Sequence, residues 1–192
     1  MRDVRLCVFG DSLVAGIGDP KGAGWVGRVA ERTTGVDLTV YALGVRDEPT
    51  EEVVVRVPVE SAGRFARGEE ARLVLATGFA DALQEIEPRQ SAIALDFGLA
   101  SVSAPVLVVG PPPLGDAATT ARLAELDAEY ARTCDRRGVP YVQTFAPLVN
   151  RATWHKARAA DGLHPNPAGY GMLARTILGG GWQQWISADG SA

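Results

Sequence analysis

The sequence has little positive charge and no long apolar run. It carries 19 lysine and arginine residues against 23 aspartate and glutamate residues, which gives a net charge of -4 and an isoelectric point near 5.2. Because binding to a nucleic-acid backbone depends on a basic surface, we expect no nucleic-acid partner. No segment approaches the ~20 apolar residues that span a bilayer, and the apolar run at 4–9 is too short for a signal peptide. We therefore expect a cytoplasmic protein without a membrane segment.

Cysteine and histidine are also scarce, with two residues of each type. Cys7 falls in a predicted strand and Cys134 in a predicted helix, which argues against a disulfide, and neither lies beside a histidine as a catalytic thiol would. These four residues form no metal-ligand cluster in the sequence. The glycine-rich segment at 16–22 differs from a dinucleotide-binding loop because it begins too far beyond the first strand and contains Pro20. We predict no metal and no cofactor.

A chain of 192 residues with 46% apolar and 22% charged residues has the composition of one compact domain, which we expect to span residues 1–192. Short aliphatic runs without two-residue alternation predict strands that are buried on both faces. The predicted strands are 4–9, 37–43, 72–77, 105–110 and 140–144. Amphipathic stretches between and after them predict helices at 24–34, 50–67, 88–101, 117–137 and 166–178.

Strands and helices alternate five times along the sequence, which predicts an α/β three-layer sandwich on a parallel sheet. Functional sites in such folds lie at the carboxyl ends of the strands. Pro58 falls inside the second helix and is expected to kink or split it, whereas Gly138 is placed to end the fourth. After the last helix we expect Trp182 and Trp185 to pack in a short helix or cap, and residues 187–192 to be frayed.

A serine directly follows the first predicted strand, in G-D-S-L at 10–13. Gly10 permits a sharp turn, and free N–H groups at the start of the next helix can stabilise an anion beside Ser12. The pattern is equally consistent with a turn that caps that helix. It does not fit the Gly-x-Ser-x-Gly elbow of α/β-hydrolases, which requires glycine where Val14 stands. Ser12 is therefore a candidate nucleophile that needs a base.

The candidate base is His164, in D-G-L-H-P at 161–165, just before the last predicted helix. Asp161 lies three residues upstream, a spacing at which one turn can bring its carboxylate to the imidazole. Asp161 can then orient His164, which can take the proton of Ser12. Asp-x-x-His alone is also consistent with a helix cap. Two such elements beside the sheet edge, one at each end of the chain, favour catalysis, whereas His155 has no such carboxylate and is expected at the surface.

These motifs resemble those of the GDSL or SGNH hydrolases, which include esterases, lipases, thioesterases and carbohydrate deacetylases. The segment G-D-S-L matches the motif for which the family is named, and D-G-L-H-P matches its closing motif near the C-terminus. The segment V-Y-A-L-G-V at 40–45 resembles the second block. The resemblance implies that the N–H groups of Ser12 and Gly44 contribute to an oxyanion hole, and that the fold is a flavodoxin-like sandwich with five parallel strands.

The third block departs from the family pattern. Where the family has Gly-x-Asn-Asp, this chain has G-F-A-D at 78–81, so Ala80 occupies the position of an asparagine whose amide donates to the oxyanion. Loss of one such donor costs about 10²–10³ in rate in another serine hydrolase. Either a water or another side chain replaces the donor, or the N–H groups of Ser12 and Gly44 suffice, or the enzyme is slow or lapsed. An engineered substitution is a further explanation.

The sequence thus predicts a serine esterase or lipase that cleaves carboxylic esters through an acyl-Ser12 intermediate. The expected partner is a small-molecule ester, and we expect Asp11, Phe79 and Pro112 to contact it. Pro112 lies in a run of three prolines that is expected to form a stiff wall of the pocket. Two alternatives remain open. One is a deacetylase of carbohydrate or another small metabolite, and the other is a binding or regulatory protein whose catalysis is weakened by Ala80.

Overall fold

Five parallel strands form the centre of the fold. The structure, a computed structural model, describes residues 1–68 and 70–188. The strands are β1 (Arg2–Gly10), β2 (Val36–Gly44), β3 (Glu70–Ala76), β4 (Val106–Val109) and β5 (Tyr141–Val142). They lie in the order β2-β1-β3-β4-β5, and all four neighbouring pairs are parallel. The predicted parallel sheet is confirmed.

Helices cover both faces of this sheet. They are α1 (Gly24–Arg32), α2 (Thr50–Phe65), α3 (Phe79–Leu83), α4 (Pro88–Ala100), α5 (Ala117–Arg137), α6 (Phe145–Val149), α7 (Ala152–Lys156), α8 (Pro167–Ile177) and α9 (Gln183–Ser187). Helix α1 packs against α8, and α4 packs against both α2 and α5. This arrangement confirms the predicted α/β three-layer sandwich.

The central strands β1 and β3 are apolar over their carboxyl-terminal halves, because helices cover both of their faces. In β1, Leu6 and Val8 point to one face and Phe9 to the other, and all three are at most 1% exposed. The register places Gly10 of β1 beside Gly44 of β2 and Ala76 of β3. The loops that follow these three strands therefore leave the sheet side by side, and the candidate site lies there.

The predicted effects of Gly138 and Pro58 on their helices have different outcomes. Gly138 ends α5 in the left-handed conformation, with φ of 65°, as predicted. Pro58 lies inside α2, which runs as one helix from Thr50 to Phe65, so of the predicted kink or split, the split is wrong. The short helices α3, α6 and α7 are absent from the predicted set, because five residues carry too little periodicity to be recognised.

The segment after α8 packs its tryptophans as predicted. Trp182 and Trp185 are buried with ring centroids 5.6 Å apart, and α9 follows a kink at Gly180 and Gly181. Of the segment 187–192, which is expected to be frayed, residues 189–192 lie outside the described residues.

Candidate active site

Ser12 lies just beyond the carboxyl end of β1. Residues 11–18 form turns and not the start of a helix, and the carbonyl of Asp11 accepts hydrogen bonds from the N–H groups of Val14 and Ala15, both at 3.1 Å. Gly10 is required before this turn, because a Cβ there would lie 2.0 Å from the carbonyl oxygen of Ala76 on β3. The close approach of the two strands places Ser12 at the edge of the sheet.

A tight turn before α8 presents His164. Asp161 Oδ1 accepts hydrogen bonds from the N–H groups of Leu163 at 2.9 Å and His164 at 3.0 Å, and Asp161 Oδ2 is 2.7 Å from His164 Nδ1. Gly162 adopts a φ of 71°, which glycine permits at little cost. The turn therefore holds carboxylate and imidazole together through contacts within four residues of sequence.

Ser12 and His164 meet across the fold although 152 residues separate them. His164 Nε2 is 3.0 Å from Ser12 Oγ. If Nδ1 carries the ring proton toward Asp161, Nε2 can accept the hydroxyl hydrogen. The ring of Phe79 packs edge-on against the imidazole, with centroids 5.7 Å apart. The structure thus connects Ser12, His164 and Asp161 by consecutive hydrogen bonds.

The carboxyl group of Asp161 is held in its charged form. Its partial burial acts to raise its pKa, but hydrogen bonds from the Leu163 N–H and from the side chain and N–H of His164 outweigh burial and hold the pKa below its ordinary value. A charged carboxylate at this position can orient the imidazole toward Ser12.

The three predicted oxyanion-hole residues, Ser12, Gly44 and Ala80, differ in whether they have a hydrogen-bond donor free to bind an oxyanion. No described residue accepts a hydrogen bond from the N–H of Ser12, so this donor is available. The N–H of Ala80 donates to Asp11 Oδ2 at 3.3 Å, and its methyl group has no donor. The N–H of Val45 donates to the carbonyl of Gly10, and successive N–H groups of a strand point to opposite sides. The N–H of Gly44 therefore points away from β1, which gives no support to its predicted role.

Gly44 instead has a packing role. A Cβ at this position would lie 2.1 Å from the N of Ala15 and 2.7 Å from the carbonyl oxygen of Asp11. Real Cβ atoms essentially never come this close to backbone. Only glycine therefore lets the turn after Ser12 lie directly against the end of β2.

Asp11 is predicted to contact substrate, but the structure places its side chain in the interior, with 1% of the residue exposed. Its carboxylate accepts hydrogen bonds from the N–H groups of Leu13 at 3.0 Å, Phe79 at 3.1 Å and Ala80 at 3.3 Å. Burial outweighs these donors and raises the pKa of Asp11 to about 7. Asp11 therefore joins the loops after β1 and β3, and its burial leaves almost no surface for a substrate to contact.

Phe79 and Pro112 are also buried. Phe79 belongs to the hydrophobic core, and Pro112 lines a small cavity with Asp11 and Trp25. This cavity has a volume of about 10 Å³, which holds about one water molecule. Of the three prolines, Pro111 and Pro112 border this cavity, and its volume is too small for an ester.

Asp81 is an important residue that the sequence analysis leaves without a role. Its buried carboxylate accepts hydrogen bonds from the N–H of Thr50 at 3.0 Å, the hydroxyl of Thr50 at 2.9 Å and the hydroxyl of Ser91 at 2.5 Å. These bonds tie α3 to the N-terminal turns of α2 and α4 and so fix Phe79 and Ala80 beside the site. The match of Asp81 to the last position of the third block is the signal that points to it.

Two other kinds of site are absent from the described residues. Among residues 1–68 and 70–188, no group of three or more His, Cys, Asp or Glu side chains is arranged to hold a metal ion. Within the same ranges, no helix has the length and apolar character needed to cross a membrane.

Comparison with known proteins agrees with this geometry. A model of the GDSL-like lipase/acylhydrolase family matches residues 8–172, which include Ser12, Asp161 and His164. No curated protein sequence matches significantly.

Several solved structures share the fold. A lipase/acylhydrolase from Enterococcus faecalis has a TM-score of 0.76 at 19% identity over all of both chains. A G-D-S-L family lipolytic protein from Veillonella parvula has a TM-score of 0.75 at 20% identity, over 92% of this chain and 97% of its own. Est24, a carbohydrate acetylesterase from Sinorhizobium meliloti, has a TM-score of 0.70 at 17% identity, over 93% and 97%. These similarities confirm the predicted five-stranded sandwich.

Proposed function

The chain belongs to the GDSL-like lipase/acylhydrolase family, and from this premise we propose that it is a serine hydrolase of carboxylic esters. The observation that carries the proposal is the series of hydrogen bonds from Ser12 Oγ to His164 Nε2 at 3.0 Å and from His164 Nδ1 to Asp161 at 2.7 Å. A nucleophile, a base and an orienting carboxylate in this order are what acyl transfer through a serine requires.

In the proposed reaction, Ser12 Oγ attacks the ester carbonyl while His164 Nε2 takes the hydroxyl proton. The imidazolium then gives this proton to the leaving alcohol as the C–O bond breaks, which leaves an acyl-Ser12 ester. Water attacks that ester with His164 again acting as base, and the acid and free Ser12 are released. Asp161 stays charged throughout and stabilises the imidazolium.

The negative charge on the carbonyl oxygen needs donors in this scheme. We assign the N–H of Ser12 to this role, because it is free among the described residues. Ala80 supplies no side-chain donor, and its N–H is bonded to Asp11. We therefore expect turnover about 10²–10³ below that of an enzyme with a complete hole.

Hydrolysis of p-nitrophenyl acetate and butyrate tests this proposal. Purified protein is expected to release p-nitrophenol in proportion to enzyme concentration, and Ser12→Ala is expected to reduce the rate to that of buffer. Thermal unfolding of both proteins checks that the variant remains folded. Equal rates for the two folded proteins would reject the hydrolase.

A deacetylase is the second candidate, and the burial of the site favours it. Ser12 and His164 are only 2% and 1% exposed, which leaves little room for a long acyl group. A panel of p-nitrophenyl esters from acetyl to decanoyl, together with acetylated sugars, separates the candidates. A kcat/KM that falls steadily with acyl length supports deacetylation, and a maximum at medium or long chains rejects it.

A further inference from the structure

The last part of the described chain differs in charge from the rest of the protein. Residues 138–188 contain four lysine and arginine residues and a single acidic residue, Asp161, although the whole chain has a net charge of -4. The four cations are Arg151, Lys156, Arg158 and Arg175. Asp161 itself is bonded to His164. Positive charge is thus concentrated next to the proposed catalytic residues.

These cations border three adjoining sections of the surface, here together called the basic groove. Its inner section is bordered by Asp161 and Arg158. Its middle section, of about 540 Å³, is bordered by Lys156 and Arg175. Its outer section, of about 390 Å³, is bordered by Arg175 and Arg151.

Shared lining residues show that neighbouring sections adjoin one another. Asn166 and Pro167 border both the inner and the middle section, and Met172 and Arg175 border both the middle and the outer section. Because Asn166 follows His164 by two residues, the groove begins at the proposed catalytic turn. It then follows α8 away from that turn.

The cations of the middle and outer sections are not balanced by acids. Neither section is lined by aspartate or glutamate, and Arg151, Lys156 and Arg175 form no ion pair with any described residue. Clefts that carry one sign of charge concentrate ligands of the opposite sign.

A groove between α4 and α5 provides a comparison. It has a volume of about 480 Å³ and is also lined by arginines. There, however, Glu129 lies 2.6 Å from Arg132 and 3.9 Å from Arg89, and Asp96 pairs with Arg137. That groove thus contains two carboxylates, whereas neither aspartate nor glutamate lines the middle and outer sections of the basic groove.

Helix stability explains only part of this charge. Lys156 and Arg175 lie in the last turns of α7 and α8, where a cation stabilises the helix dipole. Arg151 immediately precedes the first residue of α7, where a positive charge opposes the dipole. Stabilisation of a helix dipole therefore accounts for Lys156 and Arg175 but not for Arg151.

We propose that the basic groove binds the phosphate-bearing part of an extended ester substrate. This proposal rests on the proposed esterase function. Lysine and arginine are the side chains that best bind phosphate oxygens. Arg175 follows Pro167 by eight residues of helix, or about 12 Å, so the phosphates lie far from the ester bond. Because the unbalanced cations occupy two sections, the bound part carries at least two negative charges.

Direct binding of inorganic tripolyphosphate tests the groove without catalysis. The full-length Ser12→Ala protein is titrated by calorimetry, alone and with Lys156→Gln/Arg175→Gln added. The matched control is Arg89→Gln/Arg132→Gln, which removes the same charge from the groove between α4 and α5. We expect the groove variant to weaken binding by about 10-fold or more and the control by less than about twofold. No binding to Ser12→Ala, or equal weakening by both variants, overturns the proposal.

A pair of esters tests whether the groove serves the substrate. Both esters have the same acyl group and linker, but one alcohol ends in a triphosphate and the other in a methyl ether. The triphosphate ester is expected to have a kcat/KM about 10-fold higher, an advantage that the groove variant loses and the control variant keeps. Equal kcat/KM values overturn the proposal, as does binding of a duplex oligonucleotide in preference to tripolyphosphate. If the protein hydrolyses no neutral ester, the proposed esterase function is rejected. The binding of tripolyphosphate still tests the basic groove in that case, because it does not depend on catalysis.

Discussion

Asp11 adjoins Ser12 in sequence, but its contacts make it a part of the framework. Burial raises its pKa to about 7, whereas an exposed aspartate in the unfolded chain titrates near 3.8. Below about pH 4 the group is protonated in both states. As the pH rises toward about 7, the unfolded chain releases the proton before the folded one does. The contribution of protonated Asp11 to the stability of the folded protein is therefore lost between about pH 4 and pH 7.

Asp11→Asn removes this titration and keeps the size of the side chain. We expect the free energy of unfolding of the natural protein, relative to that of the variant, to fall between about pH 4 and pH 7 and to level off above about pH 8. Urea denaturation across this range measures both proteins. Other carboxyl groups, such as that of Asp19, titrate in the same way in the natural protein and in the variant. Their contributions therefore cancel in the difference between the two free energies of unfolding. Parallel curves would show that Asp11 has an ordinary pKa in the folded protein.

Ala80 is the residue at which the proposed chemistry is weakest. Ala80→Asn restores a side-chain amide beside Ser12. We expect kcat for p-nitrophenyl acetate to rise by about 10-fold or more with a smaller change in KM, because the new donor acts on the transition state. Ala80→Leu is a control of similar bulk without a donor, and its kcat is expected not to rise. An unchanged kcat in folded Ala80→Asn would show that other groups complete the hole.

The sequence predicts the parts of the site that depend on local contacts. Asp161 and His164 are joined within one turn, and Ser12 follows a strand that is recognisable by its composition. Gly44 is different, because the direction of its N–H depends on the register between β2 and β1. The burial of Asp11 and Phe79 depends on how the loops after β1 and β3 pack together, which no single segment reveals.

At the scale of elements, the end of β2 and the turn after β1 form one packed unit. Gly44→Ala introduces a Cβ 2.1 Å from the backbone of Ala15, so the turn that carries Ser12 must shift. We expect a loss of about 1–3 kcal/mol in the free energy of unfolding, together with reduced esterase activity.

Gly63→Ala is the matched control for this change. A Cβ at Gly63 meets nothing within 4 Å, and the residue lies inside α2. The substitution is expected to stabilise the protein by about 0.5–1 kcal/mol, because alanine favours a helix over glycine, with no effect on activity. Urea denaturation and an ester assay measure both variants. Equal stability changes in the two would contradict the packing role of Gly44.

The long elements are predictable because each repeats its apolar pattern over several turns or alternations. Pro58 is the exception. A proline inside a helix costs about 3 kcal/mol, but α2 buries Val53, Val54 and Val57, each worth about 1.5–3 kcal/mol. Burial therefore outweighs the local preference, and α2 stays whole. A local rule applied to the sequence does not include this packing energy.

At the scale of the whole molecule, the two thiols report on global unfolding. Cys7 lies in β1 and Cys134 in α5, and both are free and fully buried. Burial raises the pKa of Cys7 to about 11 and that of Cys134 to about 12. At about pH 8 we expect both to react with a thiol reagent at least about 10³ more slowly than a free thiol, and at one common rate. Fast reaction of a single cysteine would show local opening near that residue.

Folding of the whole chain is also what creates the nucleophile, because Ser12 and His164 come from opposite ends of the sequence. A small fluorophosphonate reacts with serine hydroxyls that a neighbouring base activates, so its rate of labelling measures this activation directly. Mass spectrometry is used to follow the natural protein, Ser12→Ala and Asp161→Asn in parallel. We expect rapid labelling of Ser12 in the natural protein, none in Ser12→Ala, and labelling about 10³–10⁴ slower in Asp161→Asn. If the folded natural protein labels no faster than Ser12→Ala, then Ser12 is not activated and the protein is not a serine hydrolase.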